Sequence, residues 1–215
     1  MSLCRHPILV VALLLSLSPI LRAGESVPAA AAEHHPFAVA IYCASSRGAA
    51  DEVRSATRIG EGIGDRHWTL VWGGADAGLM GTVARGAKAR GGRLVGVMAD
   101  MFKSTAFPGA DQLVFAPTVA AAKAGLQERA DAFVVLPGGC GTMDEFFNVL
   151  ELKQLALHHK PVILFNQDGY YDPLVRFIDE SVRRGFTNAS VRRNLVVVTT
   201  VDALFAELTR AAGGS

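Results

Sequence analysis

From Phe37 onward, short β-branched apolar runs alternate with longer stretches of helical periodicity. Several runs are apolar at every position, which is typical of strands buried on both faces of a parallel sheet. The predicted strands are Phe37–Cys43, Thr69–Trp72, Arg93–Val97, Gln112–Phe115, Ala132–Leu136, Pro161–Phe165 and Leu195–Val198. The predicted helices are Ala49–Gly64, Leu79–Arg90, Val119–Arg129, Thr142–His158, Asp172–Arg184 and Val201–Arg210. This alternation predicts an α/β fold: a doubly wound, mainly parallel, Rossmann-like sheet with helices on both faces.

The start of the chain has a different character. Arg5 and His6 precede an apolar run from Ile8 to Leu21, and small residues follow. A run of this size is typical of a signal peptide and is too short for a comfortable membrane span. We therefore interpret residues 1–23 as a signal peptide or, alternatively, as an N-terminal extension of a cytoplasmic protein, which leaves the localisation open between export and cytoplasm.

The remaining domain boundaries follow from composition. Residues 24–36 are rich in Ala, Pro, Glu and His without a period, and we interpret them as a linker. Residues 37–210 are predicted to form one domain, since a chain of 215 residues can share one core. Residues 211–215 are predicted to be a flexible tail.

Composition and charge narrow the class of partner. Half of the residues are hydrophobic and 19% are charged, as in globular chains. The net charge is +1, whereas a nucleic-acid binder needs a dense basic face. A small-molecule partner is therefore expected. His, Cys, Asp and Glu residues show no metal-ligand spacing, and we predict neither a metal nor another cofactor.

Two of the three cysteines lie outside the N-terminal segment. Cys43 and Cys140 are both predicted near the ends of strands. A disulfide between them requires Cα atoms within about 7 Å, and two free thiols are the interpretation that we adopt.

Three predicted strands run into small or glycine-rich turns. The first leads to Ser45, the second to Gly73 and Gly74, and the fifth to the segment from Pro137 to Thr142. Ligands of doubly wound sheets bind beyond the carboxyl ends of the strands, where the strand order reverses. We therefore expect these turns to form one pocket.

The turn after the fifth strand carries the strongest chemical signal. Gly138, Gly139 and Gly141 have no Cβ atoms to keep a ligand from the backbone. The turn opens a helix, whose first N–H groups carry partial positive charge and bind phosphate. Thr142 adds a hydroxyl donor or caps the helix. The alternative is a glycine-rich connection without a ligand, and we favour the anion site.

Two acidic residues follow this turn. Glu145 is predicted on the first turn of the helix, near the phosphate, and Asp144 lies beside it. Either carboxylate would also be favourable there as a partner of the helix dipole. The positions of Asp144 and Glu145 in the sequence do not show which of the two acts on the ligand.

Several motifs, in order, resemble those of one known family. Leu136–Glu145 resembles the P-G-G-x-G-T-x-x-E signature of the LONELY GUY family of cytokinin-activating phosphoribohydrolases, long misannotated as lysine decarboxylases. The segment from Gly73 to Gly81 resembles its G-G-G-x-x-G-L-M-G motif, and two further motifs match from Gln154 to Pro161 and from Gly169 to Asp172.

The resemblance implies hydrolysis of the N-glycosidic bond of an N6-modified adenosine 5′-monophosphate to a free base and ribose 5-phosphate. It implies Glu145 as the catalytic acid, a pocket shared between the subunits of a homodimer, and no cofactor. The predicted contacts to the substrate and its phosphate are Gly138, Gly139, Gly141, Thr142, Gly73, Gly74, Ser45 and Lys123.

One position departs from the family pattern. The family's M-H-E-R-K stretch, with its catalytic arginine, falls without a gap on residues 119–123. Lys123 keeps the lysine, but Ala122 stands at the arginine position. Arg129, two turns further along the helix, is the available substitute only if the pocket is rearranged. Two hypotheses follow: a working hydrolase, or a nucleotide-binding protein with weak or lost catalysis.

Overall fold

The computed structural model describes residues 36–214. The predicted signal peptide and nearly all of the predicted linker lie outside the described residues. Within residues 36–214, no helix is both long enough and apolar enough to cross a membrane.

Seven parallel strands form one sheet in the order β4-β3-β2-β1-β5-β6-β7. The strands are β1 (Ala38–Tyr42), β2 (Thr69–Trp72), β3 (Arg93–Ala99), β4 (Gln112–Ala116), β5 (Ala132–Val135), β6 (Val162–Phe165) and β7 (Leu195–Val198). The chain fills one half of the sheet from β1 to β4, returns to the other side of β1, and then builds β5 to β7. The predicted doubly wound α/β fold is confirmed, and every strand is parallel.

Residues 36–214 contain seven α-helices, six between the strands and one after β7. They are α1 (Ala50–Asp65), α2 (Gly78–Ala89), α3 (Val119–Arg129), α4 (Cys140–Gln154), α5 (Asp172–Arg183), α6 (Ala189–Asn194) and α7 (Val201–Gly213). Two short 3-10 helices, Asp100–Thr105 and Gln167–Gly169, follow β3 and β6.

The helices cover both faces of the sheet. One apolar layer joins α1, α2 and α7 to side chains such as Val39 and Ile41 of β1. The other joins α3, α4, α5 and α6 to the alternate side chains, such as Ala40 and Tyr42. Because β1 is buried on both faces, all five of its residues are apolar or aromatic and fully covered.

The helix after β5 differs from its prediction at both ends. It begins at Cys140, with Gly139 as N-cap, two residues before the predicted start at Thr142. It ends at Gln154, four residues before the predicted end at His158, because Ala156 adopts a left-handed backbone with φ of 57°. Two further details were not predicted: the short helix α6, and the extension of α7 from Arg210 to Gly213.

Candidate active site at the sheet switch point

The strand order reverses between β1 and β5, which lie side by side and lead away in opposite directions. The turns after these strands touch directly, since the N–H of Ala44 donates to the carbonyl of Pro137 at 3.1 Å. A crevice at this point is where doubly wound sheets bind ligands. The structure therefore brings the predicted first and third turns together at the expected edge.

The glycine turn after β5 leads directly into α4. The first N–H with an acceptor inside the helix is that of Met143, which donates to Gly139 at 3.0 Å. The N–H groups of Cys140, Gly141 and Thr142 precede it and have no acceptor in the preceding turn. They supply the partial positive charge that favours an anion.

The three glycines have different surroundings. Gly139 and Gly141 are exposed, and a Cβ atom at either one would meet no heavy atom within 4 Å. Gly138 is buried, and a Cβ there would collide with the side chain of Thr142. Thr142 is itself buried and does not cap the helix. Thus Gly138 and Thr142 shape the turn, whereas Gly139 and Gly141 leave the space in front of it open.

Glu145 is partly buried at the carboxyl end of β1. It is the sixth residue of α4, on the second turn and not on the first as predicted, because the helix begins earlier. The pKa of its carboxyl is raised to about 8, mainly by burial and in addition by the charge of Asp144, while the charge of Lys123 acts in the opposite direction. Burial, followed by the charge of Glu145, raises the pKa of Tyr42 and of Cys43. Glu145 thus lies among the last residues of β1.

The neighbouring Asp144 has a different environment. Its side chain is 55% exposed and accepts a hydrogen bond from Nζ of Lys123 on α3 at 2.7 Å. Lys123 is predicted to contact the substrate, and in this structure its ammonium holds α3 against the start of α4. The structure therefore separates the two acids that spacing alone did not separate: Asp144 forms an ion pair between helices, and Glu145 is the buried carboxyl.

The residues considered for the missing arginine do not supply a cation beside Glu145. Ala122 is buried in the apolar layer beneath α3. Arg129 ends α3 just before the start of β5, at the opposite edge of the sheet, and its guanidinium donates to Gly125 at 2.8 Å. Arg129 therefore does not substitute for an arginine at position 122 in this chain.

The turn after β2 contributes to the crevice differently from the glycine turn. Leu79 and Met80, at the start of α2, donate their N–H groups to carbonyls of the β1–α1 turn, at Ala44 and Ser46. Gly74 has a φ of 74°, and its carbonyl accepts from Phe107. The beginning of α2 is thus engaged by protein, unlike that of α4. Ser45 is exposed beside it, and its predicted contact with the substrate, like those of Gly73 and Gly74, stays a prediction.

A fourth segment at the crevice was not given a role from the sequence. The turn between β6 and α5 carries Tyr170 and Tyr171, whose hydroxyls donate to the carbonyls of Gly138 and Leu136 at 2.9 and 2.7 Å. The G-Y-Y-D motif marked these residues, but the contact spans 32 and 35 residues of chain. Only the fold brings them together.

An open cleft borders the glycine turn and runs along the outer face of α4. Its volume is about 700 Å³. It is lined by Gly138, Gly139, Cys140, Met143, Asp144, Phe147, Asn148 and Glu151. Glu145 is not among the residues that line this cleft.

Within residues 36–214 both cysteines are free thiols, Cys43 buried and Cys140 exposed. Across residues 36–214, no group of three or more His, Cys, Asp or Glu side chains is arranged to hold a metal ion.

These features define the protein class. The chain is a Rossmann-like α/β protein with a glycine-rich helix start and a buried carboxyl at its switch point. A family model described as "Possible lysine decarboxylase" matches residues 80–208.

Curated relatives identify the family under a more specific name. A cytokinin riboside 5′-monophosphate phosphoribohydrolase of Mycobacterium tuberculosis is 39% identical over 171 residues, covering 78% of this chain and 91% of the relative. One from Rhodococcoides fascians is 36% identical over 179 residues (80% and 89%). A probable one from Oryza sativa, LOGL5, is 37% identical over 173 residues (79% and 70%). The chain belongs to this phosphoribohydrolase family, the LONELY GUY family.

Solved structures show the same fold at lower identity. The molybdenum cofactor binding protein of Rippkaea orientalis superposes with a TM-score of 0.65 and 17% identity, covering 83% of this chain and 98% of that one. The molybdenum cofactor carrier protein of Chlamydomonas reinhardtii gives 0.65 and 20% identity, with 83% and 99% covered. These likenesses concern the fold alone.

Substitutions of the glycines are expected to affect the stability of the fold and the affinity for AMP differently. In Gly141→Ala the new methyl group faces open space, so stability is expected to stay unchanged or rise by up to about 1 kcal/mol. The same methyl narrows the approach to the N–H groups, and the Kd for AMP is expected to rise about tenfold, equivalent to ~1.4 kcal/mol. Urea unfolding and calorimetric titration measure the two effects.

Gly138→Ala is the matched control for this test. Its methyl collides with Thr142, and a loss of about 1–3 kcal/mol of stability is expected. If Gly141→Ala binds AMP as tightly as the unmodified protein, the glycine turn is not where the ligand sits.

A second prediction concerns Glu145 and pH. An acid whose pKa rises on folding, here from 4.5 to about 8, keeps its proton in the folded state where the unfolded chain has lost it. Stability from this group is therefore full below about pH 4.5 and is lost as the pH rises to about 8. Glu145→Gln removes the titration, and we expect it to be the more stable protein above pH 8, by on the order of 1–4 kcal/mol.

Thermal unfolding of both proteins from pH 4 to 9 measures this difference. Glu151→Gln, an exposed site on the same helix, is the control and is expected to show no such gain. A Glu145→Gln curve parallel to that of the unmodified protein at all pH values would contradict the burial of this carboxyl.

Proposed function

We propose that this protein hydrolyses the N-glycosidic bond of cytokinin riboside 5′-monophosphates or related AMP-like nucleotides. The products are the free base and ribose 5-phosphate. The observation that carries the proposal is the buried carboxyl of Glu145, one helical turn beyond the glycine-rich start of α4. The family membership adds support, since the relatives carry this activity in their names.

The 5′-phosphate is assigned to the start of α4. The N–H groups of Cys140 and Gly141 face no competing acceptor within the helix, and the neighbouring glycines leave room for a phosphate to approach. Ser45 extends the same edge from the neighbouring turn. Lys123, 20% exposed and paired with Asp144, becomes a substrate contact if the nucleotide draws its ammonium away from that carboxylate.

Glu145 then acts on the sugar held by this phosphate. As the bond from C1′ to the base breaks, positive charge develops on the ribose, and water adds to C1′. A carboxylate at this place stabilises that charge and orients the water. Only the ionised carboxylate can do this, so we expect the rate of hydrolysis to depend on pH around the raised pKa of Glu145.

The pocket is expected to be completed by a second copy of the chain. Phe147 on α4, Phe177 on α5 and Phe186 beyond it are 40%, 61% and 80% exposed and border a common groove next to the α4 cleft. Large apolar side chains grouped in this way favour a protein interface. A homodimer through this face would cover the cleft beside the glycine turn.

The buried Ala122 favours one alternative, a nucleotide-binding protein that turns over slowly or not at all. The assay is incubation of the purified protein with isopentenyladenosine monophosphate and with AMP, with the free base measured by chromatography. We expect base to be released, and we expect kcat/KM to rise with pH and to level above about pH 8, as Glu145 ionises.

Glu145→Gln is the inactive control, and Glu128→Gln, at an exposed acid near the C-terminal end of α3, is expected to retain full activity. AMP binding without release of base by the unmodified protein would favour the binding-protein alternative. Release of base that survives Glu145→Gln would remove this residue from the mechanism.

A further inference from the structure

Three successive carbonyl groups of the glycine turn are held by donors from elsewhere in the fold. The carbonyl of Leu136 accepts from the hydroxyl of Tyr171 at 2.7 Å, and that of Pro137 accepts from the N–H of Ala44 at 3.1 Å. The carbonyl of Gly138 accepts from the hydroxyl of Tyr170 at 2.9 Å. Two of these three donors belong to adjacent tyrosines of the β6–α5 turn.

The orientation of these carbonyls matters for an anion. A carbonyl oxygen turned toward a phosphate repels it, whereas an N–H in the same place attracts it. Glycines leave the backbone free to rotate between such states, because they lack the steric restriction of a Cβ. The carbonyl of each residue lies in one rigid plane with the N–H of the next residue, so donors to the carbonyls of Pro137 and Gly138 also fix the N–H groups of Gly138 and Gly139. This holds in place the backbone that leads into the N–H groups of Cys140 and Gly141.

The tyrosine-bearing turn is itself braced. Asn166, buried at the end of β6, accepts from the N–H of Tyr171 at 2.7 Å and donates to Asp172 at 2.8 Å. The two tyrosine rings pack edge to face with centroids 4.8 Å apart. Tyr171 is fully buried and Tyr170 is half exposed. The hydroxyls are thus presented from a rigid turn.

We propose that Tyr170 and Tyr171 are positioning residues that preorganise the glycine turn for a 5′-phosphate. We call the pair the tyrosine clamp. It acts through the backbone of residues 136–138 and does not touch the reacting atoms. The identity of its ligand rests on the proposed function, but the clamp predicts phosphate binding whether or not turnover follows.

The test is direct binding to ribose 5-phosphate, AMP and adenosine, measured by calorimetry on Tyr170→Phe, Tyr171→Phe and the double variant. Each single variant loses one hydroxyl while keeping its ring. We expect the Kd for ribose 5-phosphate and AMP to rise roughly 5- to 10-fold in each single variant and further in the double variant. The Kd for adenosine, which lacks the phosphate, is expected to stay within about twofold.

A stability control separates positioning from general damage. Thr200→Ala removes the N-cap hydrogen bond of α7, which the Ala203 N–H donates at 3.2 Å, at a typical cost of ~1 kcal/mol. It is expected to leave all three Kd values unchanged. Tyr170 is half exposed, so Tyr170→Phe tests the clamp even if loss of the buried Tyr171 hydroxyl impairs folding.

The possible results test the tyrosine clamp and the proposed hydrolysis separately. Ribose 5-phosphate binding that is unchanged in Tyr170→Phe, or AMP and adenosine affinities that fall together, would overturn the clamp even in an active hydrolase. A selective loss of phosphate affinity in a protein without hydrolase activity would support the clamp and overturn the reaction. An unmodified protein that binds neither phosphate compound would overturn both.

Discussion

The site depends on the unpaired N–H groups at the start of α4. The N-cap of this helix is Gly139, which has no side chain to accept from the first N–H groups. The switch point places these donors at the edge of the sheet where the connections from β1 and β5 lead apart. The start of α2, which follows β2 and lies against the β1–α1 turn, shows the contrast, because the carbonyls of Ala44 and Ser46 accept from N–H groups at its start.

Burial of Glu145 is the second constraint, and it follows from the first. The early start of α4 moves this residue to the second turn, where it is partly buried near the end of β1. A carboxyl there resists ionisation, which costs the folded protein stability at high pH but yields a group near its ionisation point at neutral pH. Lys123 is the cation that lowers this pKa, and its ammonium donates to Asp144.

Much of the fold was predictable because strands buried in a parallel sheet consist of continuous runs of apolar residues. Thr69–Trp72, Leu195–Val198 and Val119–Arg129 match their predicted bounds. The end of α4 was not predictable, since it depends on Ala156 adopting a left-handed backbone, a conformation that alanine rarely takes. The helix α6 has only six residues, mostly polar, and lacks a readable period.

Less of the candidate site could be predicted from the sequence. The glycine turn could be recognised from residue types, because Gly139 and Gly141 carry no side chain that would block a ligand, whereas the packing of Gly138 against Thr142 is visible only in the structure. Asp144 and Glu145 could be distinguished only once their burial in the folded chain was known. The contacts of Tyr170 and Tyr171 depend on the packing of β6 beside β5, which joins residues far apart in the sequence.

A crystal structure of the protein with AMP shows directly whether the start of α4 binds the phosphate. We expect phosphate oxygens within about 3.2 Å of the backbone nitrogens of Cys140 and Gly141, with the ribose facing Glu145. AMP bound elsewhere, with the start of α4 left empty, would contradict this expectation.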